Sequence, residues 1–194
     1  SLRGSWRSPL KGDGVAEAVR ALRKQKVQAL VLDLRDDPGG LLAQAIAVSG
    51  KFLKEKSVVI VRDRSGQEET LYTMPDDYLG TPLPMAVLIN DRSASASEIV
   101  SGAMQDHDRG IVVGEATFGK ALVQSVYRVS GQAGLALTTA RYYTPSGRMI
   151  QRPWDDTFDE YVTYTLRDQR ERPHAASELK YTDSGRQVFS GGGI

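Results

Sequence analysis

Residues 27–40 read Val27-Gln28-Ala29-Leu30-Val31-Leu32-Asp33-Leu34-Arg35-Asp36-Asp37-Pro38-Gly39-Gly40. The first eight are almost continuously apolar over the length of one strand, the pattern of a strand covered on both faces of a sheet. The run breaks at Asp36-Asp37-Pro38-Gly39-Gly40, where a proline and two glycines end regular structure. From 41 to 53, Leu42, Ala45, Ile46, Ser49 and Leu53 recur at helical spacing, and the β-branched run Val58-Val59-Ile60-Val61 follows. Strand, helix and strand in this order are the signature of an α/β protein.

Working outward, Val15, Ala18, Val19 and Leu22 predict a surface helix over 15–26, opened by the turn-permitting Gly14. Downstream, Ser65-Gly66 punctuates a hairpin, and residues 85–89 are a further apolar strand ending at Asn90-Asp91. A Ser/Ala-rich helix start follows, with Ile99, Val100, Ala103, Met104 and His107 continuing one face, and then the strand 111–113. This rhythm points to a mainly parallel sheet with flanking helices. Between 122 and 143 two alternating stretches meet near Ser130-Gly131, as an antiparallel hairpin does. Beyond Gln151 charges thicken and no strong element boundary is visible.

Composition narrows the chemistry. The 194 residues hold no cysteine and two histidines, with 25 Lys plus Arg against 24 Asp plus Glu. Disulfides, thiolate nucleophiles, iron–sulfur clusters and His/Cys zinc sites are excluded, and neither a metal nor a cofactor is expected. A net charge of +1 carries no broad basic field for nucleic acid or an anionic membrane. No apolar run approaches the ~18 residues of a membrane span, and the first residues lack a signal peptide's apolar core.

Three places could carry chemistry. Ser93-Ala94-Ser95-Ala96-Ser97-Glu98 lies where a buried strand ends and a helix begins. There a nucleophile is lifted out of the sheet, beside backbone N–H groups that stabilise developing negative charge. Taken alone the hexapeptide favours the structural reading, because Ser95 with Glu98 three residues on is a capping box. Gly114-Glu115-Ala116-Thr117-Phe118-Gly119-Lys120 satisfies Gly-x-x-x-x-Gly-Lys and raises a nucleotide-binding P-loop as a rival. Yet Ala121 stands where a magnesium-holding hydroxyl is required, and the residues beyond favour a strand over a helix. A solvated Lys120 is an ordinary loop residue, whereas a buried lysine sheds its charge readily and can act as a general base.

On a regular strand Gln124 shares the face of Lys120 and can orient its amine. The third place, Asp37-Pro38-Gly39-Gly40, offers small residues and free N–H groups at a strand's carboxyl end, where ligands gather in open α/β sheets. Taken alone it reads as a tight turn. His107 lies twelve residues beyond Ser95 on the same helix, about 18 Å away at 1.5 Å per residue, and cannot serve as its base. His174 falls in the charged tail.

Together, Asp33 through Gly40, Ser93 through Ile99, Gly114 through Lys120 with Gln124, and Thr144-Pro145-Ser146-Gly147 resemble the C-terminal processing peptidases, also called tail-specific proteases. The order and spacing match across residues 15–152. The resemblance implies an α/β core of the ClpP/crotonase-like kind, with Ser95 as nucleophile, Lys120 as base and Gln124 as the amide that orients it. It also implies an oxyanion hole built from the N–H of Ala96 and that of Gly39 or Gly40. The substrates implied are unstructured C-terminal tails of other proteins, in the periplasm or another exported compartment. A PDZ domain, an oligomer or another regulatory segment is the implied partner.

On this reading residues 1–14 are an irregular lead-in, 15–152 the catalytic core, and 153–194 a charged extension ending in a glycine-rich stretch after which longer members continue. The alternative from another class is a core that binds protein tails without cutting them.

Overall fold

The computed structural model describes residues 11–80, 82–131, 133–152 and 175–194, so the charged segment that contains His174 lies outside the described residues. Along the chain the elements are α1 (Gly12–Lys24), β1 (Leu30–Asp33), α2 (Leu42–Gly50), β2 (Ser57–Asp63), β3 (Glu68–Tyr72), β4 (Met85–Ile89), α3 (Ala96–Asp106), β5 (Ile111–Gly114), β6 (Leu122–Ser130), β7 (Ala133–Tyr143), β8 (Leu179–Tyr181) and β9 (Gln187–Phe189).

Helix α1 buries Ala16 and Val19, and it carries Asp13 in its first turn and Arg23 and Lys24 in its last, charges that suit the helix dipole. It begins three residues before the apolar spacing does. It ends short of Lys26, whose φ of 56° leaves the helical region.

Strands β1, β4 and β5 form a parallel sheet in the order β1-β4-β5, with Leu32 beside Val87 and Val87 beside Val112. Leu30, Met85, Val87 and Ile89 meet Ala45 and Val48 of α2 and Val100, Ala103 and Met104 of α3 in one core. Each of the Leu, Ile, Val and Met side chains among them contributes about 1.5–3 kcal/mol by leaving water. The opposite face is less covered than the apolar run in β1 predicts: Val31 is 66% exposed and Ile111 67%. Among the described residues, helices cover one face of this sheet and leave its partner open.

The expected α/β architecture stands, with its parallel sheet, flanking helices and antiparallel hairpin. The strand expected at 58–61 forms, but it joins a second sheet, antiparallel throughout, in the order β3-β2-β7-β6. A short connection ending in the Ser65-Gly66 turn lets β3 fold straight back on β2, and that local pairing wins over a long crossover to β1.

The turn Thr144-Pro145-Ser146-Gly147 docks on the end of α3. Ser146 N–H donates to Asp106 Oδ2 at 2.9 Å, and the buried Arg148 guanidinium reaches Asp106 Oδ1 at 2.5 Å. The region beyond 175 holds more structure than the sequence predicts. There β8 and β9 form a hairpin, and its turn is held on α3 by Asp183 N–H donating to Asp106 O at 2.8 Å. Its last residues run beside the chain at 149–150, with Gly193 N–H on Ile150 O at 2.9 Å.

Candidate active site

Parallel pairing of β1 with β4 places their carboxyl ends side by side, and the two loops leaving them are tied together. Ala94 N–H donates to Asp37 O at 3.0 Å. The buried Ser93 hydroxyl donates to Leu34 O at 2.7 Å and accepts Asn90 N–H at 3.0 Å. Ser93 O in turn accepts Phe118 N–H at 3.0 Å, which draws in the loop after β5. Ser93 thus belongs to the frame of the site, although the sequence distinguishes it from Ser95 only by position.

Ser95 is the N-cap of α3 and stands at φ 56°, ψ −114°, a conformation that a side chain with a Cβ seldom adopts. Such strain costs of order 1–3 kcal/mol and persists only where surrounding contacts impose it. Glu98 supplies one of them, as its Oε2 accepts Ser95 N–H at 2.7 Å in the expected capping-box arrangement. Gly39 lies against the same turn at φ +85°. A Cβ there would fall 2.5 Å from Ala94 O and 2.6 Å from Ala96 N, so only glycine fits.

Capping is a small part of what Glu98 does. Its fully buried carboxylate also accepts Thr117 Oγ1–H at 2.6 Å, Gly119 N–H at 2.6 Å and Lys120 N–H at 2.9 Å. Burial pushes its carboxyl above the ordinary value, against the pull of these bonds in the other direction. The amides of Gly119 and Lys120 are those a P-loop would turn toward a phosphate. Here a carboxylate occupies them and strand β6 follows, so the nucleotide reading is set aside. Thr117 Oγ1 also accepts Ile194 N–H at 2.8 Å, linking the end of the β8–β9 segment to this network.

A cleft of about 370 Å³ opens at the start of α3, lined by Gly40, Leu42, Ser95, Ala96, Lys120 and Gln124 among others. The structure therefore brings together five of the six residues singled out in the sequence. Gly39 is not among the lining residues, and its N–H is committed to Asp37 Oδ1 at 2.9 Å. Among the described residues the N–H groups of Gly40 and Ala96 have no acceptor. Lys120 is half-buried and Gln124 exposed, and no hydrogen bond joins the Ser95 hydroxyl, the Lys120 amine and the Gln124 amide to one another.

The regular alternation assumed for Gln124 is interrupted, because a register shift falls between Val123 and Gln124 in the pairing of β6 with β7. Tyr142 was not singled out by its sequence context. It lines the cleft from β7, and its hydroxyl contacts the carbonyls of both Ser95 and Lys120.

His107 caps the far end of α3, where Nδ1 meets Asp183 Oδ2 at 2.9 Å and Nε2 meets Ser57 O at 2.7 Å. It is remote from Ser95, as the helix rise requires. Among the described residues no group of three or more His, Cys, Asp or Glu could hold a metal ion, and no helix is long and apolar enough to cross a membrane.

This arrangement has relatives. The carboxyl-terminal-processing protease of Synechocystis sp. is 41% identical over 138 residues, which cover 71% of this chain and 32% of that protein. The chloroplastic carboxyl-terminal-processing peptidase 2 of Arabidopsis thaliana is 42% identical over 138 residues, 71% of this chain and 27% of its own length. Among solved structures, the photosystem II D1 C-terminal processing protease superposes with a TM-score of 0.67 at 36% identity, covering 74% of this chain and 38% of that one. The chain spans about a third of the length of the curated relatives it matches. The family model of peptidase family S41 matches residues 5–156, a stretch that holds every residue of the cleft, and the chain belongs to that family.

Proposed function

We propose that the chain carries the catalytic core of a serine endopeptidase that cuts the unstructured C-terminal tails of proteins. The observation that carries this reading is Ser95 itself. It is held in a strained backbone conformation at the amino end of α3, on the wall of a cleft it shares with Lys120 and Gln124. Four other non-glycine residues share a positive φ, but among them Ser95 is the one that lines the cleft. Its strain, maintained by a buried carboxylate and a glycine that admits no Cβ, supports a nucleophile held in place.

In the proposed reaction the neutral Lys120 amine takes the Ser95 proton as Oγ attacks the scissile carbonyl. The tetrahedral oxyanion rests on the N–H groups of Ala96 and Gly40. Gly39 gives up the role the sequence left open to it, because its N–H is committed to Asp37. Collapse expels the amine of the downstream fragment, which receives the proton from Lys120, and leaves an acyl group on Ser95 Oγ. Water then attacks the acyl carbon with the Lys120 amine as base, and that amine returns the proton to Ser95 Oγ as the acid leaves and the hydroxyl is restored.

Gln124 accepts a hydrogen bond from the amine and turns it toward Ser95. The contact between hydroxyl and amine closes when substrate fills the cleft, as catalytic hydrogen bonds commonly do. The apolar lining from Leu41, Leu42, Ile99, Leu122 and Val123 suits an apolar residue before the scissile bond. Residues 15–152 form this core, and the relatives from bacteria and chloroplasts favour work in an exported compartment, with tail delivery by a PDZ or other regulatory segment or by an oligomer.

The test is cleavage of an unstructured protein with an apolar C-terminus by the full-length protein. Ser95→Ala and Lys120→Ala should each lower kcat by roughly 10⁴-fold or more, with folding retained. Variants that cut as fast as the parent would overturn the dyad. A stable complex with an uncut tail would favour the binding core instead.

A further inference from the structure

Tyr142 is 2% exposed, and its hydroxyl stands between two main-chain carbonyls, that of Ser95 at 3.2 Å and that of Lys120. Its own N–H donates to Ala121 O at 3.0 Å. One residue of β7 therefore holds the successive carbonyls of Lys120 and Ala121 while touching the nucleophile's carbonyl.

The Ser95 carbonyl has a special consequence. It belongs to the same planar trans peptide as the Ala96 N–H, so the two point in opposite directions and whatever fixes one aims the other. Glu98 N–H and Ile99 N–H also reach Ser95 O, at 2.9 and 3.0 Å, but both come from α3 and move with it. Among these three contacts only Tyr142 refers the peptide to the second sheet, which carries the lysine side of the cleft. Because Ser95 sits at φ 56°, its peptide needs such outside support to hold its orientation.

We propose that Tyr142 is a positioning residue for the reaction: its hydroxyl sets the plane of the Ser95–Ala96 peptide, and so the aim of the Ala96 N–H, in register with the backbone of Lys120. This rests on the reading of Ser95 and Lys120 as nucleophile and base. Burial pushes the phenol well above its ordinary pKa, so it remains a neutral donor wherever the lysine can work. The hydroxyl has one proton for two carbonyls and shares it between them. A tyrosine present only for packing would need no hydroxyl at this point.

The experiment is Tyr142→Phe in the full-length protein, which keeps the ring and removes the oxygen. Two readouts are taken together: steady-state kinetics on a tail substrate, and amide hydrogen exchange read by mass spectrometry. The expected result is a kcat lowered about 10- to 100-fold with KM within about twofold and the midpoint of the pH profile unmoved, since a donor is misaimed and the base is intact. Exchange should quicken in the segments 94–98 and 119–122 and stay at parent rates elsewhere.

A Tyr142→Phe enzyme with the parent's kcat overturns the proposal. So does a loss of activity accompanied by faster exchange throughout the molecule, which would mark a packing role. If the parent itself cuts no tail, the dyad reading fails, and exchange alone decides whether Tyr142 holds this peptide. Unchanged rates in both segments then dismiss it.

Discussion

The backbone N–H of Lys120 donates to Glu98 Oε2 at 2.9 Å, and the same oxygen accepts Ser95 N–H at 2.7 Å. One buried oxygen therefore sets the main-chain separation of the two residues proposed for the dyad, which lie 25 positions apart in the sequence. Glu98→Gln keeps the size but turns an NH₂ toward two donors. We expect it to cost about 1–3 kcal/mol for each donor left without an acceptor, and to lower kcat at least tenfold. Urea unfolding and tail cleavage measure both. A Glu98→Gln variant that is active and as stable as the parent would show that the carboxylate is dispensable.

Glycine is required at 39 for two separable reasons, its φ of +85° and the absence of room for a Cβ. Gly147 shares the first condition at φ +81°, but open space surrounds its Cβ position. Gly147→Ala should therefore cost only the conformational strain of about 1–2 kcal/mol. Gly39→Ala should cost more and abolish cleavage, because it pushes directly on Ala96 N. Equal costs at the two positions would mean that the loop at 39 yields easily.

The strain at Ser95 gives a stability signature. Both Ser95→Ala and Ser95→Gly remove the hydroxyl, but only glycine relieves the positive φ. The Gly variant should be more stable than the Ala variant by about 1 kcal/mol, with neither able to cut. Denaturant midpoints decide this. An Ala variant as stable as the Gly variant would remove the case for strain at the nucleophile.

Asp108 fastens the β8–β9 turn through Ser184 N–H at 2.7 Å and Arg186 Nε at 2.7 Å. Burial works against its charge, but the bonds from Ser184, Arg186 and Thr182 outweigh it and hold the carboxyl at about 2, below the ordinary 3.8. A carboxyl depressed in the folded state adds stability that is complete above its unfolded value and is lost as pH falls through the folded one. Asp108→Asn should thus be less stable than the parent at pH 7, and the gap should narrow between pH 4 and pH 2. A gap that does not change across this window would show that charge is not what fastens the turn.

Much of the candidate site is legible in the sequence. Ser95 and Lys120 stood out because their neighbours, a Ser/Ala-rich helix start and a Gly-x-x-x-x-Gly-Lys loop without its hydroxyl, are local patterns. Glu98 was legible only as a cap, since its other partners, Thr117, Gly119 and Lys120, come from a loop some twenty residues away. Tyr142 carried no local signal, because one aromatic residue in a strand looks like any other. For the proposed oxyanion hole, the choice between Gly39 and Gly40 turns on where a single N–H points, and that is a matter of tertiary contact.

The sequence by itself determined most local elements up to residue 143, the turn at Asp37-Pro38-Gly39-Gly40, and the exclusion of cysteine chemistry and of His107 as the base for Ser95. These follow from residue type and spacing, which act over a few positions. Tertiary structure decided that the strand at 58–61 belongs to an antiparallel sheet, that Glu98 gathers four donors, and that Tyr142 touches both Ser95 and Lys120. Those outcomes depend on which distant segments pack together, and a buried carboxylate or phenol must take its partners from whatever the fold brings within hydrogen-bond reach.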